Sequence, residues 1–289
     1  MKEEQVNHKD CIVQECDTDD INQSGGSPMY NIILLDGAGK VSVDLVEYSF
    51  EGKIALFTTP YQIIYFDTAH PIPTKRLQFH GDFYCIEYHK KEVACNGLLF
   101  NNIYQQPYVN LEMEAYADLN HILGKLTPEL AHNNSYSIAI VRAYLQLILA
   151  LCSKIKSNDH VIYEEVNRHH PIMKFKALLE SNFHKERQPS FYAEKMGISP
   201  NNFSKICKQY FLRTPSGLIH ERVILESKKL IHLSYKSMKE IAAELNFDDE
   251  NYFSRYFKKH TGITPTAFRE QVGVSIVADL SIPTKLESY

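Results

Sequence analysis

Residues 247–265 read FDDENYFSRYFKKHTGITP and combine aromatic rings with positive charges in one short segment. The rings include Phe247, Tyr252, Phe253 and Phe257, and the cations are Arg255, Lys258 and Lys259. A core helix does not need the charges, and a solvated helix does not need the rings. We therefore expect the segment to pack against protein on one side and to meet water or an anionic partner on the other.

Helical spacing separates the two kinds of residue. In a helix that begins after Asp248, the aromatic positions i, i+1, i+4 and i+5 share one face. These are Tyr252, Phe253, Tyr256 and Phe257, and the other face carries Glu250, Asn251, Ser254, Arg255 and Lys258. Such a helix fits the major groove of B-DNA, where Arg contacts guanine, Asn contacts adenine and Glu accepts from cytosine. Lys258, Lys259 and His260 lie further along and suit phosphate groups.

The same pattern occurs earlier in the chain. FSKICKQYFLRTPS, residues 203–216, aligns with FSRYFKKHTGITPT, residues 253–266, and AEKMGI, residues 193–198, aligns with AAELNF, residues 242–247. Each copy predicts a short helix, a turn at Gly197 or Asn246, and a second helix. This is the pattern of a helix-turn-helix unit, present twice.

In the first copy, Phe203, Ile206 and Cys207 are predicted to pack, and the outward face carries Asn201, Asn202, Ser204, Lys205 and Lys208. Residues 217–234 between the copies predict a connecting helix of about 27 Å. That length is close to the roughly 34 Å between successive major grooves on one side of DNA. The plainer alternative is a pair of solvated helix faces with ordinary surface charges.

Charge is divided unevenly along the 289 residues, which have a net charge of −4. From His170 to the end there are 18 basic and 13 acidic residues, and before it 13 basic and 22 acidic ones. The overall acidity argues against a nucleic-acid partner, but the C-terminal part is basic by five charges. The two parts therefore need separate interpretations.

The order of patterns predicts an α+β chain of five segments. These are a flexible tail at residues 1–27, a β-rich domain with following helices at 28–160, a linker at 161–170, a helical domain at 171–272, and a tail at 273–289. Short runs rich in Ile, Val, Leu, Phe and Tyr from Tyr30 to Asn110 predict strands of a small barrel or sandwich. Thr127-Pro128-Glu129 resembles the start of a helix, and a longer helix is expected from Ser135 to Lys156.

The helical region from Pro171 to Gln271 resembles the DNA-binding domain of AraC/XylS-type bacterial transcription regulators. The resemblance rests on IAAELNFDDENYFSRYFKKHTGITPTAFR, residues 241–269, on FYAEKMGISPNNFSK, residues 191–205, and on residues 222–230. It implies two helix-turn-helix units joined by a long helix, with double-stranded promoter or operator DNA as partner. The sequence departs from the family pattern at Asn246, at Leu212-Arg213 and at Cys207.

The N-terminal domain is similar in layout to the cupin-like sensor or dimerisation module of such regulators. This similarity implies a small-molecule effector or a dimer, and RNA polymerase as a further candidate partner. A cupin-type metal- or ligand-binding enzyme with an appended helical domain is the alternative. Its candidate ligands are His70, His80, His89 and Glu87, but the His-x-His pair of metal cupins does not occur. Cys85 and Cys95 are a conceivable redox pair, with buried thiols as the plainer interpretation. We expect no enzyme activity, no metal and no cofactor.

Residues 138–152 form the most apolar run of the chain. Fifteen residues that include Arg142 and Gln146 are too few and too polar to cross a bilayer of about 30 Å, and the N-terminus resembles no signal peptide. A soluble, cytoplasmic protein located at the nucleoid is expected. The run is predicted either to pack within its own domain or to form a dimer helix through Val141, Leu145, Ile148 and Leu149.

Overall fold

The structure is a computed structural model that describes residues 10–44, 46–84, 98–100, 102–132, 134–166 and 170–275. The predictions for Cys85, Glu87, His89 and Cys95 lie outside these ranges. An antiparallel sheet with helices forms the N-terminal domain, and helices alone form the C-terminal domain. The α+β class predicted from the order of patterns is thus present.

Six strands build the sheet: β1 (Cys11–Asp17), β2 (Tyr30–Val43), β3 (Val46–Thr58), β4 (Ile64–Asp67), β5 (Pro73–Phe79) and β6 (Tyr108–Asn110). Their order is β1-β5-β2-β3-β6, and β4 also pairs with β2. Every pairing is antiparallel. The sheet formed by the described residues does not close on itself, so the cupin-like barrel is not confirmed.

One edge of β2 changes its partner from β5 to β4 along the strand. Residues up to Leu35 pair with β5 and residues from Lys40 onwards pair with β4. Gly37 and Gly39 lie between these two pairings, and a Cβ on Gly37 would meet Ile72 at 2.7 Å. A Cβ on Gly39 would be equally close to Thr68. The two glycines therefore let the chain between β4 and β5 cross close to β2.

Both faces of the sheet are buried, because successive side chains point to opposite faces and each face is covered by its own apolar cluster. On β2, Ile32 and Leu34 belong to one apolar cluster, and Ile33 and Leu35 belong to another. The first cluster includes the helices that follow the sheet. The second lies on the side of α1 (Thr18–Gln23), whose Ile21 is part of it.

The predicted flexible tail at residues 1–27 is wrong for its second half. Strand β1 pairs along its whole length with β5 at the sheet edge. Helix α1 follows directly, and the Asp17 side chain accepts hydrogen bonds from the Asp19 and Asp20 backbone N–H groups. Polar composition suggested a tail, but an edge strand needs only alternate apolar residues, and Cys11 is one of them.

Two helices, α2 (Met113–Leu130) and α3 (Ser135–Val166), cover one face of the sheet. Pro128 lies in the last turn of α2 and does not begin a helix as predicted. Because proline has no N–H, the last turn of α2 forms with one backbone hydrogen bond fewer, the one to the Gly124 carbonyl. Helix α3 is longer than expected and takes up residues 161–166 of the predicted linker.

The four residues predicted to form a dimer interface lie inside the domain. Val141, Leu145, Ile148 and Leu149 are buried in the cluster between α3 and the sheet, and Leu145 is 0% exposed. Because the sheet already covers them, the prediction of these residues as an interface is wrong. Periodicity marked a buried face correctly but could not tell a sheet from a second protomer as its cover.

Among the described residues, one helical segment is long and apolar enough to cross a membrane by length and composition alone. It is Ser135–Asp159, with a mean hydropathy of 1.7. The segment is longer than the 15-residue run from which the sequence excluded a span. A core helix passes the same test, and Leu145 and Leu149 place this helix against the sheet.

The C-terminal domain consists of α4 (Pro171–Asn182), α5 (Pro189–Met196), α6 (Pro200–Phe211), α7 (Pro215–Leu233), α8 (Met238–Glu244), α9 (Glu250–Thr261) and α10 (Pro265–Val272). They share one apolar core, and Val223 at the middle of α7 is among its buried residues. The domain also contacts the N-terminal domain. Lys228 Nζ donates to the Pro60 carbonyl at 2.9 Å, and Tyr104 Oη donates to Glu180 Oε1 at 2.6 Å.

Candidate nucleic-acid interface

The first helix-turn-helix unit consists of α5 and α6. Gly197 ends α5 with φ 70°, a left-handed conformation that glycine adopts without strain. Ser199 Oγ then accepts from the Asn202 backbone N–H at 3.3 Å and caps α6. Phe203 and Cys207 anchor α6 in the core, as the sequence predicted. The core therefore fixes the N-terminal half of α6, and the opposite face of the helix is exposed to solvent.

The second unit, α8 and α9, repeats this arrangement with different residues. Ser237 and Glu240 form a capping box at the start of α8. Asn246 occupies the turn with φ 55°, as expected for a residue type that tolerates the left-handed region. Asp249 caps α9 by accepting from the Tyr252 backbone N–H at 2.7 Å. Both copies of the repeat thus form the predicted units.

Arg187 stabilises the turn of the second unit, which the sequence interpretation missed. Its guanidinium lies 3.9 Å from the centre of the Phe247 ring and donates to the carbonyls of Leu245 and Asn246. Burial lowers the pKa of this side chain. The residue lies about 60 positions upstream of the turn it holds, so no local pattern could have pointed to it.

The two faces of α9 separate as the spacing predicted, with one exception. Phe253, Tyr256 and Phe257 are buried. Tyr252 was assigned to the same face but is 42% exposed, although its ring still contacts Phe247. Phe253, the next residue, is fully buried, so Tyr252 lies at the edge of the apolar face. Tyr252 is therefore an additional side chain on the open face.

The structure places all predicted contact residues of both helices on the outside. Asn201, Asn202, Lys205, Lys208, Glu250, Asn251, Arg255, Lys258 and Lys259 are exposed, and Ser204 and Ser254 are partly exposed. In the part of the chain that the structure describes, neither Lys205 nor Arg255 has an ion pair or a side-chain hydrogen bond. Both cations are thus available to a partner.

Helix α7 sets the separation between the two units. Its 19 residues correspond to about 28 Å of helix. It is anchored along its length by buried residues such as Leu218, Val223 and Ile231. A rigid spacer of this length suits two successive major grooves on one side of a duplex, about 34 Å apart.

His260 differs from the lysines beside it. Its ring contacts those of His220 and Tyr256 in tilted arrangements, with ring centres 4.6 Å and 4.7 Å apart. Burial, followed by the charges of His220 and Lys259, lowers the pKa of His260 to about 4. His260 is therefore neutral at pH 7 and adds no positive charge to the two lysines beside it.

In the described ranges, no group of three or more His, Cys, Asp or Glu side chains could hold a metal ion. Of the predicted candidates, His70 is exposed, and His80 is bonded to protein: its Nε2 lies 2.9 Å from the Gln271 carbonyl oxygen. Asp82 and hydrogen bonding raise the pKa of His80. His80 thus joins the two domains.

The comparisons with known proteins agree with this geometry. A family described as "Helix-turn-helix domain" matches residues 192–271. The transcriptional activator RhaR of Cronobacter sakazakii is 33% identical over 76 residues, which cover 26% of this chain and 27% of RhaR. The arabinose operon regulatory protein of Escherichia coli is 29% identical over 92 residues, 32% of this chain and 30% of the relative. The chain thus spans less than a third of the length of either relative.

Solved structures of one protein, ToxT, extend over most of the chain. ToxT from Vibrio cholerae is 14% identical, covers 91% of this chain and 100% of its own, and superposes with a TM-score of 0.38. The family match covers residues 192–271, the part of the chain that contains the two capped units, the exposed helix faces and the spacer helix. The C-terminal domain of this chain is a helix-turn-helix domain of the AraC type.

Proposed function

We propose that the chain is a sequence-specific DNA-binding transcription regulator that contacts two successive major grooves with α6 and α9. The observation that carries the proposal is the pair of capped helices whose N-terminal halves present exposed polar side chains, among them Lys205 and Arg255. A regulator of this kind acts at the nucleoid in the cytoplasm, and RNA polymerase is a candidate partner.

The two ends of α9 suit different parts of DNA. Glu250, Asn251 and Arg255 lie in the first half of the helix, which enters the groove and reaches base edges. Lys258 and Lys259 follow one turn later and suit phosphates, which position the protein without reading sequence. In α6, Asn201 and Lys205 occupy the base-contacting half, and Lys208 lies further along.

Selection from random duplexes with the full chain tests the proposal directly. The expected result is enrichment of one sequence pattern that survives competition with unrelated DNA in a native gel. Binding that is equally strong to all duplexes, or no binding at low salt, would contradict it. The cupin-type enzyme alternative predicts no enrichment.

A buried guanidinium in the N-terminal sheet supports control by an anionic effector. Arg76 is 7% exposed, its Nε donates to Asn31 Oδ1 at 2.9 Å, and its Nη1 donates to Ser24 Oγ at 3.2 Å. Both partners are neutral, and across the described ranges no acidic side chain forms an ion pair with Arg76. Burial lowers the pKa of the guanidinium. Buried charges are usually paired, and Arg matches the geometry of a carboxylate.

The same polar cluster leads towards the C-terminal domain. Asn31 Nδ2 donates to Thr58 Oγ1 at 3.0 Å, at the end of β3. Two residues later, the Pro60 carbonyl accepts from Lys228 of α7. We infer that an oxyanion-bearing small molecule at Arg76 would act on α7 through this connection, and that the N-terminal domain is a cupin-like sensor module.

A homodimer is proposed through the outer side of α3. Tyr136, Ile140, Ala143 and Leu147 are exposed at intervals of four, three and four residues, and Tyr136 is 81% exposed. This is the spacing of a coiled-coil seam. A dimer would give each operator two related half-sites.

A further inference from the structure

The two helix-turn-helix units differ at the residues that follow their recognition helices. Leu212 and Arg213 end the first copy where Gly262 and Ile263 end the second, and both copies continue with Thr-Pro. The backbone is the same in both: Leu212 N–H donates to the Lys208 carbonyl at 3.1 Å, and Gly262 N–H donates to the Lys258 carbonyl at 2.9 Å. The difference therefore lies in what the side chains contact.

The second residue of each pair, Arg213 in the first copy and Ile263 in the second, has different neighbours. Ile263 packs, partly buried, against the core of the C-terminal domain. Arg213 instead reaches the N-terminal domain, where its Nη2 donates to the Tyr48 hydroxyl and its guanidinium lies 5.5 Å from the centre of the Tyr48 ring. Its Nε donates to Glu221 Oε1 at 2.9 Å, which fixes the side chain against α7.

Tyr48 offers a rigid acceptor for this contact. It is buried on β3 and its ring meets that of Tyr108 edge-on with centres 6.5 Å apart. Burial raises the pKa of Tyr48 to about 12, so the hydroxyl stays neutral. The side chain of Arg213 is itself only 10% exposed. A contact between two buried side chains of different domains transmits displacement better than a mobile surface pair does.

We propose that Arg213 is a positioning residue through which the N-terminal domain sets the orientation of α6 on DNA. The proposal rests on the DNA-binding function proposed above. In the first unit, Arg213, two residues after α6, contacts the N-terminal domain. In the second unit, Ile263, two residues after α9, packs against the core of its own domain. Without the contact, the orientation of α6 would become fixed only when DNA binds. The entropy lost in that step would lower the affinity for DNA.

The test uses the full chain and an operator selected with it. Arg213→Ile installs the residue of the second copy, and Tyr48→Phe removes one oxygen from the other domain. Tyr65→Phe is the matched control, because Tyr65 is an exposed tyrosine on β4 of the same domain. Affinity is measured for operators altered base by base, and folding is checked by circular dichroism.

Both variants are expected to weaken binding by roughly 2- to 30-fold, with the change confined to the bases contacted by α6. The double variant should be no weaker than Arg213→Ile alone, and Tyr65→Phe should bind like the parent. The coupling is contradicted if a folded Tyr48→Phe protein binds like the control, if the two effects add, or if affinity rises. A selection that enriches no sequence would instead contradict the DNA-binding function, and the coupling with it. Should Arg213→Ile fail to fold, the Tyr48→Phe comparison still decides.

Discussion

Leu212 and Gly262 occupy the same position of the two repeats and share a left-handed backbone, with φ 59° and 78°. Glycine adopts this conformation freely, whereas a residue with a Cβ is strained there. Leu212 is also exposed, so its side chain gains little from burial. The first unit thus has the same turn as the second one, but the strained backbone of Leu212 lowers its stability.

Leu212→Gly is expected to raise the free energy of unfolding by about 0.5–1 kcal/mol, since relief of strain outweighs the added freedom of the unfolded chain. Gly262→Leu should lower it by about 1–2 kcal/mol. Urea denaturation followed by circular dichroism measures both. Equal and opposite effects are not required, but a destabilised Leu212→Gly protein would show that the leucine side chain contributes packing that the strain argument neglects.

The two sides of α3 predict different outcomes for lysine substitutions. Leu145→Lys places a charge in the core and should unfold the N-terminal domain, because a buried unpaired charge costs several kcal/mol. Ile140→Lys with Leu147→Lys changes only exposed positions and should leave the fold intact while converting a dimer to a monomer. Sedimentation and circular dichroism on the same samples measure both. A folded double variant that sediments like the parent would count against the proposed seam.

Acid is expected to destabilise the C-terminal domain through His260. Its pKa lies near 4 in the folded protein and near the ordinary 6.5 in the unfolded chain, so between these values the unfolded chain binds more protons. Stability therefore falls as the pH drops from 6.5 to 4. His260→Gln should flatten this part of the stability profile, and His121→Gln on the exposed side of α2 should not. Identical profiles for the parent and His260→Gln would show that another group controls the acid response.

Arg76 predicts a specific response to anions. Sodium acetate or inorganic phosphate, compared with sodium chloride at equal ionic strength, should raise the melting temperature of the full chain. At ten times its Kd a bound anion adds about 1.4 kcal/mol of stability. Arg76→Gln should abolish the response, while Arg142→Gln should keep it, because Arg142 bonds to a carbonyl elsewhere in the domain.

Asn31→Asp provides an independent check of the anion site. It would place a carboxylate beside the Arg76 guanidinium, where Asn31 Oδ1 now accepts from Nε at 2.9 Å. The internal ion pair should make the protein indifferent to added acetate. An acetate response that survives in both Arg76→Gln and Asn31→Asp would place the anion elsewhere.

Sequence patterns were most informative where local chemistry decides the structure. The repeat located both helix-turn-helix units, since capping residues such as Ser199 and Asp249 and left-handed positions such as Gly197 and Asn246 are set by their immediate neighbours. The open faces of α6 and α9 followed from helical spacing alone.

Long-range relationships were out of reach of the same patterns. The apolar side of α3 gave no sign that the sheet, not a second protomer, covers Leu145. The polar residues before Pro28 gave no sign that β5 would pair with Cys11–Asp17. Arg187 and Arg213 each act across the chain on groups far away in sequence, Phe247 and Tyr48. Such contacts depend on tertiary packing, which periodicity does not encode.

The contrast between Arg255 and Lys259 on α9 tests the central claim most directly. Affinities of the full chain for a selected operator, for its single-base variants and for random DNA are measured for Arg255→Ala and Lys259→Ala. We predict that Arg255→Ala loses about 1–3 kcal/mol on the operator and relaxes specificity at one base pair, while Lys259→Ala weakens binding evenly and lowers the salt slope by about one. If Arg255→Ala instead lowers the affinity for operator and random DNA equally, α9 does not read the sequence of DNA and the account is contradicted.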